Sequence, residues 1–106
     1  MDAFFKLLSD ETRLRCLVLL FEQKELCVCE LMYALDLPQS KVSRHLAHMK
    51  KQKIVVQRRE EQWVLYSINP ELTGFQLNII KECVDESKNI ATFEADNERL
   101  LMEDNR

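Results

Sequence analysis

The chain has 106 residues, of which 46% are hydrophobic and 31% are charged, with one glycine and two prolines. This length favours one domain with a single core, to which pairing of subunits would add useful burial. The scarcity of glycine and proline argues against a β-rich fold, because such folds need many tight turns. The composition therefore predicts a mainly α-helical protein with a small β-hairpin.

The formal net charge is −3, but the charged residues are unevenly distributed along the chain. Residues 41–70 carry seven basic and two acidic side chains, whereas residues 1–40 carry four and seven and residues 71–106 carry four and nine. Phosphate affinity depends on a local basic patch more than on the overall charge. The middle third is therefore the candidate nucleic-acid surface of an otherwise acidic protein.

Four helices are predicted in the first half of the chain, where apolar residues recur at helical spacing. Ser9 offers a hydroxyl that can cap the second helix. Asp36 and Pro38 end the third helix, because proline has no amide donor and restricts the residue before it. The predicted helices cover residues 2–8, 10–23, 26–35 and 39–52.

The second half of the chain begins with two runs of β-branched and aromatic residues. Residues 54–59 and 63–68 flank a polar turn and predict a hairpin. A long amphipathic helix is predicted over residues 74–90, with an apolar stripe suited to a neighbouring subunit. Residues 92–106 are predicted to form a charged, partly helical tail.

The third and fourth predicted helices, followed by the basic hairpin, predict a winged helix-turn-helix within a domain spanning residues 1–91. On the fourth helix, small and basic side chains lie opposite the core residues, with His45 on the flank. Arg44 can form paired hydrogen bonds to guanine, and lysines nearby would contact phosphates. The pattern also fits an exposed amphipathic helix or a winged-helix module that binds protein. The candidate DNA-contacting residues are Gln39, Ser40, Lys41, Ser43, Arg44, His45, Lys51, Arg58, Arg59 and Gln62.

Two thiols, Cys27 and Cys29, lie directly before this predicted DNA-binding unit. Thiolates prefer soft ions to magnesium or calcium, and a helix N-terminus lowers the pKa of a thiol placed there. Residues two apart on a regular helix point about 200° apart, so capture of one ion by both thiols would distort the first turn. The spacing therefore predicts that ion binding weakens DNA binding by linkage.

The other two cysteines have weaker support as ligands. Cys16 lies in the apolar second helix and is more typical of a core residue, although it is the candidate third ligand. Cys83 lies on the apolar stripe of the long helix, where packing explains it. Cys27 and Cys29 also fit an alternative in which neither thiol binds a ligand or reacts, and one is buried while the other is exposed.

Several spaced motifs, over roughly residues 4–85, resemble the ArsR/SmtB family of winged-helix metalloregulators. The resemblance implies a homodimer, paired through its first and last helices, that binds double-stranded operator DNA and releases it when an inducer binds. The Cys-Val-Cys form is typical of arsenical-responsive repressors and implies As(III) or Sb(III) on Cys27 and Cys29. The matching segments are Ser9-Asp10-Glu11-Thr12-Arg13-Leu14, Leu26-Cys27-Val28-Cys29-Glu30-Leu31, Lys41-Val42-Ser43-Arg44-His45-Leu46 and Trp63-Val64-Leu65-Tyr66.

The chain departs from family patterns at four places. Met32 stands where some arsenic repressors have a further cysteine, and no cysteine precedes Cys16, unlike the N-terminal arm of cadmium and lead sensors. Residues 74–91 lack the histidines of the zinc sensors, and the usual glycines near Lys53 and Glu61 are replaced. Cd(II) and Pb(II) are kept as alternative inducers. The third ligand could be a protein thiol or an external thiol, and the sequence leaves this open.

Other classes of function are less consistent with the sequence. A redox-sensing repressor would use the same two thiols, whereas a thiol oxidoreductase would need Cys-X-X-Cys in a βαβ setting. No catalytic constellation and no constitutive cofactor site is visible, so the chain is not predicted to be an enzyme. The absence of a signal peptide or a long apolar run predicts a cytoplasmic protein without membrane contact.

Overall fold

The computed structural model describes residues 1–104, which form six helices and a small antiparallel sheet. This arrangement confirms the predicted mainly α-helical fold with a hairpin, the architecture of a winged helix-turn-helix. The elements are α1 (Asp2–Leu8), α2 (Glu11–Gln23), β1 (Leu26–Cys27), α3 (Val28–Leu35), α4 (Gln39–Lys51), β2 (Val55–Glu60), β3 (Trp63–Ile68), α5 (Gly74–Ser87) and α6 (Ala91–Asp104).

Local side-chain contacts set where α1 and α2 meet. Asp10, not the predicted Ser9, caps α2, and its carboxylate accepts a hydrogen bond from the Arg13 amide at 3.0 Å. Ser9 instead ends α1, and its hydroxyl donates to the Lys6 carbonyl at 2.7 Å. An aspartate carboxylate at the N-cap also complements the positive end of the helix dipole.

Two turns use left-handed backbone at positions without glycine. Lys53, between α4 and β2, has φ 61°, and Glu61, at the tip of the hairpin, has φ 56°. These are the two places where the family resemblance led us to expect glycine. Both turns still form, at the steric cost that a Cβ adds in this region.

A short strand precedes α3, where the sequence predicted the first residues of the helix. Leu26 and Cys27 pair antiparallel with β3, opposite Tyr66 and Leu65, so the sheet order is β1-β3-β2. The predicted helix start at Leu26 is therefore wrong by two residues. As a result, Cys27 lies on the sheet side of the strand–helix junction and Cys29 lies in the helix.

The C-terminal segment, predicted as a charged and partly helical tail over residues 92–106, forms the continuous helix α6 up to Asp104, and residues 105 and 106 lie outside the described residues. It packs along α3, and its side chains Phe93 and Leu100 join the same core as α2 and α4. The preceding helix α5 ends at Ser87, three residues before the predicted end. No helix within residues 1–104 combines the length and apolar character that crossing a membrane would need.

Candidate DNA-binding surface and thiol site

Helix α4 presents a polar outer face because its inner face is fully used by the core. Val42, Leu46 and Met49 are completely buried against the rest of the domain. Arg44 lies on the exposed side, as the spacing predicted. Of the candidate DNA-contacting residues on this helix, Gln39, Ser40, Lys41, Arg44 and Lys51 are exposed and Ser43 is half-buried.

His45 does not belong to this exposed face. Its side chain is only 6% exposed, and its Nδ1 lies 3.4 Å from Nη1 of Arg13. A guanidinium only donates hydrogen bonds, so Nδ1 is the acceptor. Burial lowers the pKa of His45, which favours the neutral ring that this contact needs. His45 is therefore corrected from a DNA-contacting candidate to a packing residue between α2 and α4.

Arg13 connects three helices through this contact. Its Nε donates to the Leu7 carbonyl at 2.9 Å, and its Nη2 donates to the Lys6 carbonyl at 3.2 Å. These carbonyls lie at the C-terminal end of α1, where backbone acceptors lack helical partners. Arg13 thus joins the end of α1 to His45 on α4.

The hairpin supplies a second basic region, but one of its arginines is already paired. Arg59 and Gln62 are exposed, as expected for a wing. Arg58 instead donates to both carboxylate oxygens of Glu25, at 2.7 and 2.8 Å, and lies 3.7 Å from Glu60. A phosphate would have to compete with these carboxylates for Arg58.

Cys27 is the N-cap of α3 and is buried. Its sulfur accepts a hydrogen bond from the Glu30 amide, and its own amide donates to the Glu30 side chain at 2.9 Å. Burial raises the pKa of the Cys27 thiol, and the hydrogen bond from the Glu30 amide acts in the opposite direction. The expectation that the helix N-terminus lowers this pKa is therefore wrong for Cys27, because burial is the larger effect.

Cys29 is exposed one residue inside α3, and both thiols line one cavity of about 320 Å³, which we call the thiol cavity. The argument that the two side chains diverge by about 200° requires both residues to be helical. Because Cys27 lies before the helix, with extended backbone, that argument does not apply to this pair. The thiol cavity is lined by Cys27, Cys29, Glu30, Trp63, Leu65 and Glu103.

The comparisons with known proteins agree with this arrangement of helices and hairpin. Residues 10–56, from the start of α2 into β2, match the family described as "Bacterial regulatory protein, arsR family". The arsenical resistance operon repressor of Escherichia coli is 45% identical over 78 residues, which cover 74% of this chain and 67% of that protein. The chain belongs to the ArsR family.

A second ArsR-family relative is the arsenic resistance transcriptional regulator ArsR1 of Pseudomonas putida. It is 46% identical over 81 residues, which cover 76% of this chain and 63% of that protein. The chain thus spans less than two thirds of the length of this relative. Among solved structures, HlyU from Vibrio cholerae N16961 superposes with a TM-score of 0.69 at 32% identity, covering 76% of this chain and 84% of that one.

The structure does not bring Cys16 into the thiol site as an accessible ligand. Cys16 is completely buried in the core, and burial raises the pKa of its thiol to about 12. A thiol with that pKa gives up its proton to a metal only at a large energetic cost. Within residues 1–104, no three His, Cys, Asp or Glu side chains stand ready to hold a metal ion.

Sequence reasoning missed two neighbours of the thiols, Trp63 and Glu103. Trp63 reaches the thiol cavity because β1 pairs with β3, and Glu103 reaches it because α6 packs along α3. Neither residue has a local pattern that points to Cys29. Only the pairing of distant elements could have identified them.

Proposed function

We propose that this chain is a DNA-binding transcriptional repressor that leaves its operator when As(III) or Sb(III) binds the thiols of Cys27 and Cys29. The observation that carries the proposal is the position of these thiols at the first turn of α3. Helix α3 packs against α4, the recognition helix of a winged helix-turn-helix. A ligand on the thiols therefore acts on the element that supports the DNA-reading helix.

The cap of α3 gives a physical route for this effect. The Cys27 sulfur accepts the Glu30 amide hydrogen bond, and turning this sulfur toward a shared ion, as an As–S bond replaces its S–H bond, weakens that hydrogen bond. Each As–S bond forms as a thiol proton leaves with an arsenite hydroxyl as water. Loss of a helix cap costs about 1 kcal/mol, which is comparable to a useful allosteric coupling.

The proposed repressor is a homodimer that pairs through α1 and α5. Phe5 and Phe75 are 44% and 47% exposed, and their rings lie 6.2 Å apart in an edge-to-face contact. Large exposed aromatic side chains on adjacent helices are typical of a surface that a partner covers. In a symmetric dimer each α4 would meet one half of a palindromic operator.

The test uses the purified, reduced protein and a labelled duplex from the region directly upstream of its own reading frame. Fluorescence anisotropy should show tight binding in the absence of inducer, with affinity that falls steeply as salt rises. Arsenite should then weaken binding by roughly 5–150-fold. Binding that ignores both salt and arsenite would exclude the proposal and favour a winged-helix module for protein partners.

A cadmium or lead sensor is the second candidate, because Glu30 and Glu103 line the thiol cavity with the two thiols, and ion binding would have to draw these side chains together. Such a mixed site suits a divalent cation. Oxidation of Cys27 receives less support, since a buried thiol with a raised pKa is a poor nucleophile toward peroxide.

The pH dependence of DNA release should distinguish an arsenite sensor from a cadmium sensor. Because burial raises the pKa of Cys27 above the usual range of a thiol, this thiol is protonated at neutral pH. Cadmium must release that proton to solvent, so its half-effective concentration should fall at least tenfold per pH unit, by one factor of ten for each thiol proton that it displaces. Arsenite removes the proton as water, so its half-effective concentration should stay within about twofold. The measurement is the inducer concentration for half release at each pH, relative to ligand-free DNA binding.

A further inference from the structure

A buried carboxylate, Asp96 of α6, is held by two arginines from different helices. Asp96 is only 1% exposed. Arg15 of α2 donates to it from Nε at 2.8 Å and from Nη2 at 2.6 Å, and Arg99 of α6 donates from Nη2 at 2.8 Å. We call these three residues the Asp96 cluster. A buried ion pair of this kind requires close geometry, because removing one partner leaves charge without compensation.

The same two arginines also hold the C-terminal end of α3. Arg99 Nε donates to the Ala34 carbonyl at 2.8 Å, and Arg15 Nη2 donates to the Leu35 carbonyl at 2.9 Å. These are the last two residues of α3, whose carbonyls have no partner within the helix. The turn that follows leads directly into α4. The Asp96 cluster therefore fixes the point from which the recognition helix starts.

Helix α6 also reaches the other end of α3. Glu103 lies one turn after Arg99 on α6 and lines the thiol cavity with Cys27 and Cys29. Arg99, Glu103 and Cys29 line a second, larger cavity of about 740 Å³ on the same side of α3. The same helix thus contacts both the thiol cavity and the carbonyls that precede α4.

We propose that Asp96 is a positioning residue that transmits occupancy of the thiol cavity to the recognition helix. This inference rests on the proposed function. An ion held by Cys27 and Cys29 lies against the C-terminal turn of α6, so its binding displaces that helix along α3. The short hydrogen bonds of the Asp96 cluster then open, and the end of α3 and the start of α4 lose their fixed position. Coupling through such a two-state contact needs no contact between inducer and DNA.

The experiment compares Asp96→Asn and Arg99→Gln with wild type, and uses Glu98→Gln on the exposed side of α6 as the matched control. Three quantities are measured for each protein: the operator Kd without arsenite, the operator Kd with saturating arsenite, and arsenite affinity from the ultraviolet absorbance of As–S bonds. Thermal unfolding reports whether each variant is folded. Arg99→Gln retains Asp96 and Arg15, so it provides a readout even if Asp96→Asn does not fold.

The variants should resemble the inducer-bound protein. Without arsenite, their operator Kd should rise toward the wild-type value with arsenite, and the ratio of the two Kd values should fall from roughly 5–150-fold toward one. Their arsenite affinity should equal or exceed that of wild type, because arsenite no longer has to open the Asp96 cluster in order to bind. Glu98→Gln should match wild type in all three measurements.

Two results would overturn the inference while leaving the proposed function intact. One is a folded variant with unchanged operator affinity and an unchanged response to arsenite. The other is weaker DNA binding with an undiminished arsenite ratio, which would make Asp96 and Arg99 structural residues only. A wild-type protein that ignores arsenite would instead overturn the proposed function and the coupling with it.

Discussion

Replacing either Cys27 or Cys29 with serine should abolish arsenite-dependent release of DNA, while ligand-free DNA binding stays within about twofold of wild type. The whole induction ratio, roughly 5–150-fold, should collapse to one, because a hydroxyl does not form a stable bond to trivalent arsenic in water. Serine is a preferred N-cap residue, so Cys27→Ser can keep the hydrogen bond from the Glu30 amide. Operator anisotropy with and without arsenite measures both effects.

Two other cysteines serve as controls for this prediction. Cys83→Ser changes a half-buried thiol on α5 and should leave the arsenite response intact. Cys16→Ala removes the completely buried thiol from α2 at a cost in stability of about 1 kcal/mol. It too should keep the induction ratio. Loss of induction in Cys16→Ala, in a protein that is still folded, would restore Cys16 as a third ligand and contradict the structure of the site.

The geometry of the thiol cavity predicts that the third ligand of the arsenic is exchangeable. Two thiols satisfy only two of the three sulfur contacts that trivalent arsenic accepts, and the thiol cavity opens to solvent beside the exposed Cys29. A small external thiol or a hydroxyl can occupy the remaining position. The response to arsenite should therefore not require any cysteine beyond Cys27 and Cys29.

Local sequence patterns predicted the helices and strands in which apolar residues recur at a regular spacing. The apolar spacing of Val42, Leu46 and Met49 gave α4 to within a residue, and the β-branched runs gave both strands of the hairpin. Strand β1 could not be predicted in this way, because two residues are too few to show alternation. Its existence depends on the backbone of β3, about 40 residues away, which offers the partner hydrogen bonds.

The composition of α6 did not indicate that the helix packs against the core. A segment rich in acids reads as solvated, and charged residues are rarely buried unless they are paired. Asp96 is buried because Arg15, 81 residues earlier, supplies the compensating charge. Such a pairing depends on the tertiary fold, and the sequence places no local signal at either residue.

For the thiol site and α4, the sequence identified which side chains could bind a ligand, but it did not show how deeply those side chains are buried. The spacing of Cys27 and Cys29 pointed to one ligand for both thiols, and the structure places them on one cavity. The effect of burial on the Cys27 pKa depends on β1 and β3, which the helical interpretation did not include. His45 was misplaced for a similar reason, since its neighbour Arg13 comes from α2.

Replacing Arg44 with alanine should weaken operator binding by about 1–3 kcal/mol, which corresponds to roughly 5–150-fold in Kd. Arg44 is exposed at the centre of the outer face of α4, and the residues around it are small enough for the helix to approach a major groove closely. We expect Lys51, which is exposed at the end of the same helix, to contact phosphate and not the bases. Lys51→Ala should therefore weaken binding to all sequences alike and reduce the salt slope by about one.

Lys88→Gln is the matched control for these two variants, because it removes one positive charge outside the predicted surface. Lys88 is exposed at the end of α5, where it forms an ion pair with Glu22 at 3.0 Å. Exposed ion pairs contribute little to stability, so the variant should fold and bind DNA nearly as wild type does. If Arg44→Ala lost no more affinity than Lys88→Gln, and lost none of the preference for operator over unrelated DNA, α4 would not be the helix that reads the bases.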